Sequence, residues 1–427
     1  MAKVVRRHWT PALASGLPRR DRQGCSYEAY VPDPLANRVI TLDGEIAADV
    51  TDAEASVTRL NAQAHALVST ESLARLLLRA EAVASSRIEG LEVGGRRLLK
   101  AQAARVMGES PSDVTALEVL NNIEAVSWAV DTLSAKPQIT VEDLLTIQGR
   151  LMAGTQLEER AGRLREDQNW IGGSDYNPCS ADFIPPPPEH VGPLLEDLCA
   201  FCEGDALPAT VQAALAHAQF ETIHPFADGN GRTGRILVHV VLRRRGLAPR
   251  VLPPVSLVLA TWSKDYVAGL TATRYSGSSA SRAAHDGVNR WIGLFATAVR
   301  RAAADAETYE ERAARLQDAW RQRLGKVRVG SAAALLIEAL AGAPILTVRS
   351  AASLVGRTEQ AINQAIPRLV SNGILHQTTV GRRNRAFEAT EVIDAFTDLE
   401  RQLASPAGNT VHSAPSRPVP RRRATLR

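Results

Sequence analysis

From residue 51 onward the apolar side chains of this chain recur at helical spacing, and this pattern limits it to burying helix against helix. Ala53, Val57, Leu60 and Ala64 mark one face, and Leu73, Leu76, Leu77, Ala80 and Val83 mark a second behind a Ser69 or Thr70 cap. The same period predicts helices over about 113–133, 140–153, 190–203, 208–222 and 232–245. A length of 427 residues asks for more than one domain, and 45% hydrophobic with 22% charged residues is a soluble composition. No run of 18 apolar residues occurs, and MAKVVRRHWTPALASG lacks the apolar stretch of a secretion signal, so neither membrane nor export is expected. Four cysteines, at 25, 179, 199 and 202, are too few and too scattered for a disulfide framework, and a reducing, cytoplasmic home is expected.

The charge of +4 and pI near 9.0 invite a nucleic-acid reading, but the charge sits at the ends. Residues 1–22 and 404–427 carry +5 each, which leaves −6 on residues 23–403. Two basic tails say little about a basic groove on a folded surface.

One segment interrupts the helical pattern. GRLREDQNWIGGSDYNPCSADFIPPPP, residues 162–188, reads as a β-hairpin or exposed loop before a proline stop, and a long loop inside a helical body is often functional.

The chemistry concentrates between the last two helices of the period, in His224-Pro-Phe226-Ala-Asp228-Gly229-Asn230-Gly231-Arg232-Thr-Gly234-Arg235. Gly229, Asn230 and Gly231 allow a tight turn whose N–H groups point inward, and the following helix presents its positive end there. Arg232 and Arg235 sit in that helix's first turn, where cations oppose the helix dipole; a polyphosphate compensates them. Asp228 is placed to hold a divalent cation bridging phosphate oxygens, and His224 to act as general base. Phe226 is expected to face the core and anchor the loop.

Eight of these positions match the Fic (Fic/Doc) signature: His, any, Phe, any, Asp or Glu, Gly, Asn, Gly, Arg, any two, Arg. A chance match has a probability of about 10⁻¹⁰ per start position. GRLREDQNWIGG with FIPPPP resembles that family's pre-motif arm and flap, and YVPDPLANR with the helices after it resembles the N-terminal region of many bacterial members. The resemblance covers about residues 25–300 and implies AMP transfer: ATP binds with magnesium, a protein hydroxyl attacks the α-phosphorus, and pyrophosphate leaves. Carried over, His224 takes the hydroxyl proton, and Asp228 holds the metal. Phe226, Gly229, Asn230, Gly231, Arg232 and Gly234 form the nucleotide cradle, and Arg235 grips the γ-phosphate. The resemblance also makes Trp170, Ile171, Gly172 and Gly173 a flap that docks the target main chain by strand addition, and puts Tyr266 of SKDYVAGL near the adenine.

Ser85-Ser-Arg-Ile-Glu89-Gly90 is similar to the family's inhibitory motif. Ser85 and Glu89 lie four apart on one helix face, and Gly90 is placed to end that helix. The resemblance implies that Glu89 pairs with Arg235 and keeps ATP from its productive pose by a charge-assisted bond.

Other signals have plainer readings. Cys199 and Cys202 read as buried helix cysteines, His217 and His239 as core or partly exposed histidines, and Arg243–Arg245 as a helix C-terminus before Gly246. Residues 356–375 with Gly381-Arg382-Arg383-Asn384-Arg385 resemble a recognition helix and wing, which suggests DNA, protein docking or a homodimer; residues 331–403 balance seven Arg against seven acids.

The expected fold class is mainly α: a Fic-type helical core with a β-hairpin flap, followed by a small winged-helix (α+β) domain. The expected divisions are an arm at 1–50, helices with the inhibitory motif at 51–110 and the core at 111–300. A connecting helix at 301–330, the winged-helix-like domain at 331–403 and a disordered basic tail at 404–427 follow. The leading function is a self-inhibited AMP transferase acting on a Ser, Thr or Tyr hydroxyl of another protein or of itself. Alternatives are a DNA-binding regulator whose Fic domain senses nucleotide or automodifies, removal of AMP, or another nucleotide donor.

Overall fold

A computed structural model describes residues 1–11, 19–22, 24–63, 70–106, 110–380 and 384–403. Strands β1 (Lys3–Trp9) and β2 (Cys25–Val31) precede α1 (Gly44–Gln63), α2 (Thr70–Ile88), α3 (Gly95–Val106) and α4 (Val114–Leu133). Next come α5 (Val141–Met152), α6 (Val191–Glu203), α7 (Ala209–Ile223), α8 (Asn230–Arg244), α9 (Val255–Thr261), α10 (Ser263–Ala272) and the long α11 (Arg282–Leu324). The chain continues through α12 (Ala332–Leu340), β3 (Ile345–Thr347), α13 (Val348–Val355), α14 (Glu359–Ser371), β4 (His376–Val380), β5 (Asn384–Glu388) and α15 (Thr390–Leu403). It divides into two compact units, one from Met1–Thr51, Trp128–Arg245 and Lys264–Thr297, the other from Asp52–Ser127, Gly246–Ser263 and the chain from Ala298 onward. None of the described helices is long and apolar enough to cross a membrane.

The first unit is built around α7, whose fifteen residues are buried on every face, as a helix enclosed by its neighbours must be. Gly234 lets α8 approach it: a Cβ there would stand 3.0 Å from the Phe220 ring and from the Glu221 and His217 side chains. Trp291, fully buried, donates from its indole N–H to the Ala214 carbonyl at 2.8 Å. Helix α5 starts on a capping box between Thr140 and Asp143.

Residues 1–50, expected as an irregular arm, instead contain an antiparallel pair, with β1 and β2 in register from Lys3 opposite Val31 to Trp9 opposite Cys25. The reading of the cysteines is also corrected. Cys25, at the start of β2, is disulfide-bonded to Cys179 in the 162–188 segment. The hairpin lies along that segment, so two cysteines 154 residues apart in sequence meet, and spacing alone could not reveal it. Asp21 adds to the attachment, accepting from Ser174 Oγ at 2.7 Å and Asn177 Nδ2 at 3.0 Å, and the Trp9 ring meets Trp170 edge-on with centroids 5.4 Å apart.

In the second unit the buried Glu81 of α2 accepts from both the main-chain N–H and the hydroxyl of Ser256 at the start of α9. Asn122 of α4 donates to the Ala82 carbonyl at 2.7 Å and to Ser86 Oγ at 3.0 Å. From α12 to β5 the order is helix, strand, helix, helix, hairpin, and the strands form an antiparallel sheet in the order β3-β5-β4. Leu336, Leu340, Ile362, Leu369, Leu375 and Phe387 fill its core. Residues 381–383 of the expected wing, the tail 404–427, and Ala64 and Ser69 lie outside the described residues.

Candidate active site

The loop from His224 to Gly229 joins α7 to α8, and its shape is set by a few hydrogen bonds. His224 takes φ +49, alone among described non-glycine residues in the left-handed region, and its N–H caps α7 on the Phe220 carbonyl at 2.9 Å. Such a backbone is costly for a residue with a side chain and persists only where the surroundings enforce it. Here they do. Arg165 donates from Nε to the His224 carbonyl at 2.9 Å and from Nη2 to the Pro186 carbonyl at 2.5 Å, while its own N–H reaches the Pro225 carbonyl at 3.0 Å. Asn169 Nδ2 donates to the His224 and Phe226 carbonyls, both at 3.2 Å. Burial pushes the Arg165 guanidinium down to about 10, with Glu189 and Tyr27 acting against it, so it remains charged.

Phe226 is fully buried, as expected, against Phe220. Asn230, 3% exposed, grips its main chain on both sides, accepting from the Phe226 N–H at 2.8 Å and donating to its carbonyl at 2.9 Å. The expected phosphate-cradle asparagine is thus also the clamp of the loop. Gly229 takes φ +80 at the N-cap of α8, where a Cβ would stand 2.9 Å from Met152 Cε. The N-cap supplies no side-chain bond, so the first amides of α8, at Asn230 and Gly231, point out of the helix end. That end suits an anion.

Arg232 and Arg235 are 2% and 3% exposed, which places both guanidinium groups inside rather than on the surface of α8. Arg232 Nη2 lies 3.5 Å from Asp228 Oδ2. Asp228 is half exposed; its Oδ1 accepts the Gly229 N–H at 2.6 Å, and its carbonyl accepts from Gln148 Nε2 at 3.2 Å. One solvent-facing carboxylate suits magnesium, which takes one or two carboxylates together with substrate phosphates. Among the described residues no cluster of three or more His, Cys, Asp or Glu side chains forms a metal cage of protein groups alone.

Tyr266, expected beside an adenine, is 4% exposed, and its hydroxyl stands 2.7 Å from His217 Nε2 and 3.4 Å from Arg235 Nη1. Trp170 and Ile171 are half-buried, and Gly172 and Gly173 are exposed at the turn of the 162–188 segment. In place of a hairpin ladder, single bridges pair Ile171 with Phe183 and Ser174 with Asn177. Gly172 and Gly173 take φ +75 and +76, and a Cβ would fall 2.0 Å from the Asp182 carboxylate or 2.4 Å from the Ser180 carbonyl, so no other residue fits either turn position. A cavity of about 620 Å³ opens between this segment and the loop, lined by Arg160, Arg163, Asp167, Trp170, Asp175 and Ala227 among others.

Ser85, Glu89 and Gly90 belong to the second unit. Ser85 is buried and Glu89 exposed. Gly90, at φ +79, bonds to the Arg87 carbonyl at 3.0 Å, and the Leu91 N–H to the Ser86 carbonyl at 3.0 Å. This is a Schellman ending with Glu89 as the C-cap.

The plainer readings hold. Cys199 and Cys202 are buried, which pushes both thiols up, Cys199 to about 12. His217 and His239 are core residues. Arg244 and Arg245 are consumed by neighbours, among them the Lys136 carbonyl at 2.6 Å, Glu203 at 2.7 Å and Gln212 at 2.7 Å. Arg165, Asn169, Gln148 and the His217–Tyr266 contact were not found from sequence.

Residues 138–242 match the Fic/DOC family, and residues 47–131 match the Fic/DOC family N-terminal region. The chain is 28% identical over 217 residues to the protein adenylyltransferase fic-1 of Caenorhabditis elegans, across 49% of this chain and 40% of that protein. It is 33% identical over 139 residues to the protein adenylyltransferase Fic of Nematostella vectensis, across 32% of this chain and 30% of that protein. It thus spans less than half the length of these curated relatives. A Fic family protein from Desulfovibrio desulfuricans G20 shares the fold with a TM-score of 0.50 at 21% identity, over 82% of this chain and 97% of that one.

Proposed function

We propose that this chain, a member of the Fic/DOC family, transfers AMP from ATP to a Ser, Thr or Tyr hydroxyl of a protein target or of itself, under restraint by Glu89. The observation that carries the reading is the pairing of an open, Gly229-capped helix end with two arginines buried in that helix's first turns. Such a site is complementary to a polyphosphate and has little use for a neutral ligand.

In this reading the amides of Asn230 and Gly231 with Arg232 hold the phosphates, and Arg235 takes the γ-phosphate. Asp228 would hold the magnesium ion, which when bound offsets charge on the phosphate oxygens. His224 removes the proton as the target oxygen forms its bond to the α-phosphorus; the bond from that phosphorus to the bridging oxygen breaks, and pyrophosphate carries the electron pair away. The protein contributes mainly position and electrostatics, with the base adding roughly 10²- to 10⁴-fold. That role requires His224 to be held still, which supports assigning weight to the Arg165 and Asn169 bonds to its carbonyl. The 170–173 turn is the surface on which a target main chain docks.

Glu89 restrains transfer by competing with the γ-phosphate for Arg235. What supports this is the likeness of the Ser85–Gly90 stretch to the family's inhibitory motif, with Gly90 ending α2 directly after Glu89. The test of the reaction uses ATP labelled at the α- or the γ-phosphorus, with protein separated on a denaturing gel. Label in protein from α-labelled ATP alone is expected. Label from γ-labelled ATP would make the chain a kinase and sink the reading.

A further inference from the structure

Arg235 belongs to α8, yet the part of it that matters is a guanidinium several bonds from the main chain, and something must fix its aim. Tyr266 of α10 is placed to do so. Its ring is held between two others: stacked on His217 with centroids 5.9 Å apart and planes at 10°, and tilted against Trp291 at 6.0 Å, itself tied to α7 through the Ala214 carbonyl. The phenol oxygen is therefore the fixed polar tip of an otherwise apolar wedge. It stands 3.4 Å from Arg235 Nη1 and 2.7 Å from His217 Nε2.

The direction of these bonds follows from protonation. A guanidinium can only donate, so the phenol oxygen must accept from Arg235. Burial, reinforced by the Arg235 charge and by His239 and opposed by the Gly234 main chain, pushes His217 down to about 3. The ring is then neutral. The phenol's own proton is then free to go to Nε2, 2.7 Å away, which accepts it when the neutral ring carries its proton on Nδ1. A positive His217 would instead donate to the phenol and repel Arg235.

We propose that Tyr266, backed by His217, is a positioning residue that aims Arg235 at the third phosphate of the nucleotide. The role rests on the AMP-transfer reading above and assigns Tyr266 a place behind the arginine rather than beside the base. Its consequence is selective: losing the phenol loosens the grip on a γ-phosphate and leaves the rest of the cradle intact.

The test measures binding of α,β-methylene-ATP, which cannot give up AMP, and of ADP by calorimetry, with magnesium, to the full chain carrying Glu89→Gly. The ratio of the two affinities reports the grip on the third phosphate, and each protein serves as its own control for folding. Adding Tyr266→Phe is expected to lower the preference for the triphosphate by about three- to tenfold, the worth of one hydrogen bond, with ADP affinity unchanged. His217→Leu is expected to act in the same direction, and His217→Gln, whose amide oxygen can accept the phenol proton, to restore part of the preference. An unchanged ratio in Tyr266→Phe would overturn the proposal, as would an equal loss for both nucleotides, which would return the tyrosine to the adenine. Arg235→Ala separates the two levels of the argument. If Glu89→Gly shows no preference that Arg235→Ala removes, the polyphosphate reading itself fails and the inference falls with it.

Discussion

Replacing Asn230 by alanine removes two hydrogen bonds at once, and their consequences differ. The Phe226 N–H, buried with the residue, has Asn230 Oδ1 at 2.8 Å as its acceptor and is left unsatisfied in Asn230→Ala. An orphaned buried donor costs about 1–3 kcal/mol. The Phe226 carbonyl loses Asn230 Nδ2 but keeps Asn169 Nδ2 at 3.2 Å, so that side gives up one bond worth about 0.5–1.5 kcal/mol. The sum is about 2–4 kcal/mol, which lowers Tm by roughly 5–10 °C for a unit of this size. Asn169→Ala makes the natural contrast: both carbonyls it serves keep another donor, His224 from Arg165 at 2.9 Å and Phe226 from Asn230 at 2.9 Å. Its expected cost stays below about 1.5 kcal/mol. Thermal unfolding followed by circular dichroism orders the two. If Asn169→Ala proved as damaging as Asn230→Ala, the assignment of Asn230 as the loop's clamp would be refuted.

Two further outcomes follow from contacts away from the loop. Reducing the Cys25–Cys179 disulfide with a dithiol, or changing both residues to serine, is expected to lower stability by about 2–4 kcal/mol and to speed hydrogen exchange at Ile171 and Asp182, whose amides close the 162–188 turn; unchanged exchange would mean that the β1–β2 hairpin does not hold that turn. Asp143 sits at a capping box, where burial raises its pKa but the Lys136 ammonium at 2.5 Å and the Thr140 bonds outweigh it and hold the carboxyl below its usual value. Its ionised form therefore stabilises α5 above the ordinary pKa near 4, and that contribution is lost as pH falls through the lower folded value. Asp143→Ala should cost about 1–2 kcal/mol at pH 7 and less near pH 3 by thermal unfolding, and an equal loss at both would contradict the linkage.

The helices that carry the site were legible because period and caps agreed. Helices α4 to α8 begin and end within two residues of the predicted stretches, and Gly90 ends α2 as its chemistry requires. The hairpin at the N-terminus was not legible. Strand β1 is exposed on nearly its whole length, so KVVRRHW carries no alternation between buried and exposed positions, and its place is set by a partner strand and a distant cysteine. Within the site, His224, Asp228 and the arginines stood out because glycines and cations at a helix start need an explanation. Arg165, Gln148 and Asn169 did not, since polar side chains that serve main-chain carbonyls look like any loop surface until the fold brings the carbonyls to them. His217 read as an ordinary core histidine, which it is by burial; only its distance to Tyr266 gives it a further part.

The central claim is AMP transfer by His224 under restraint from Glu89, and one gel tests both. Wild type, Glu89→Gly, and Glu89→Gly with His224→Ala are incubated with α-labelled ATP and magnesium, and the label retained in protein is compared. Label that rises at least tenfold in Glu89→Gly and disappears when His224 is also changed is the expected result. Equal label in wild type and Glu89→Gly would remove the brake, and label that survives His224→Ala would contradict the assigned base.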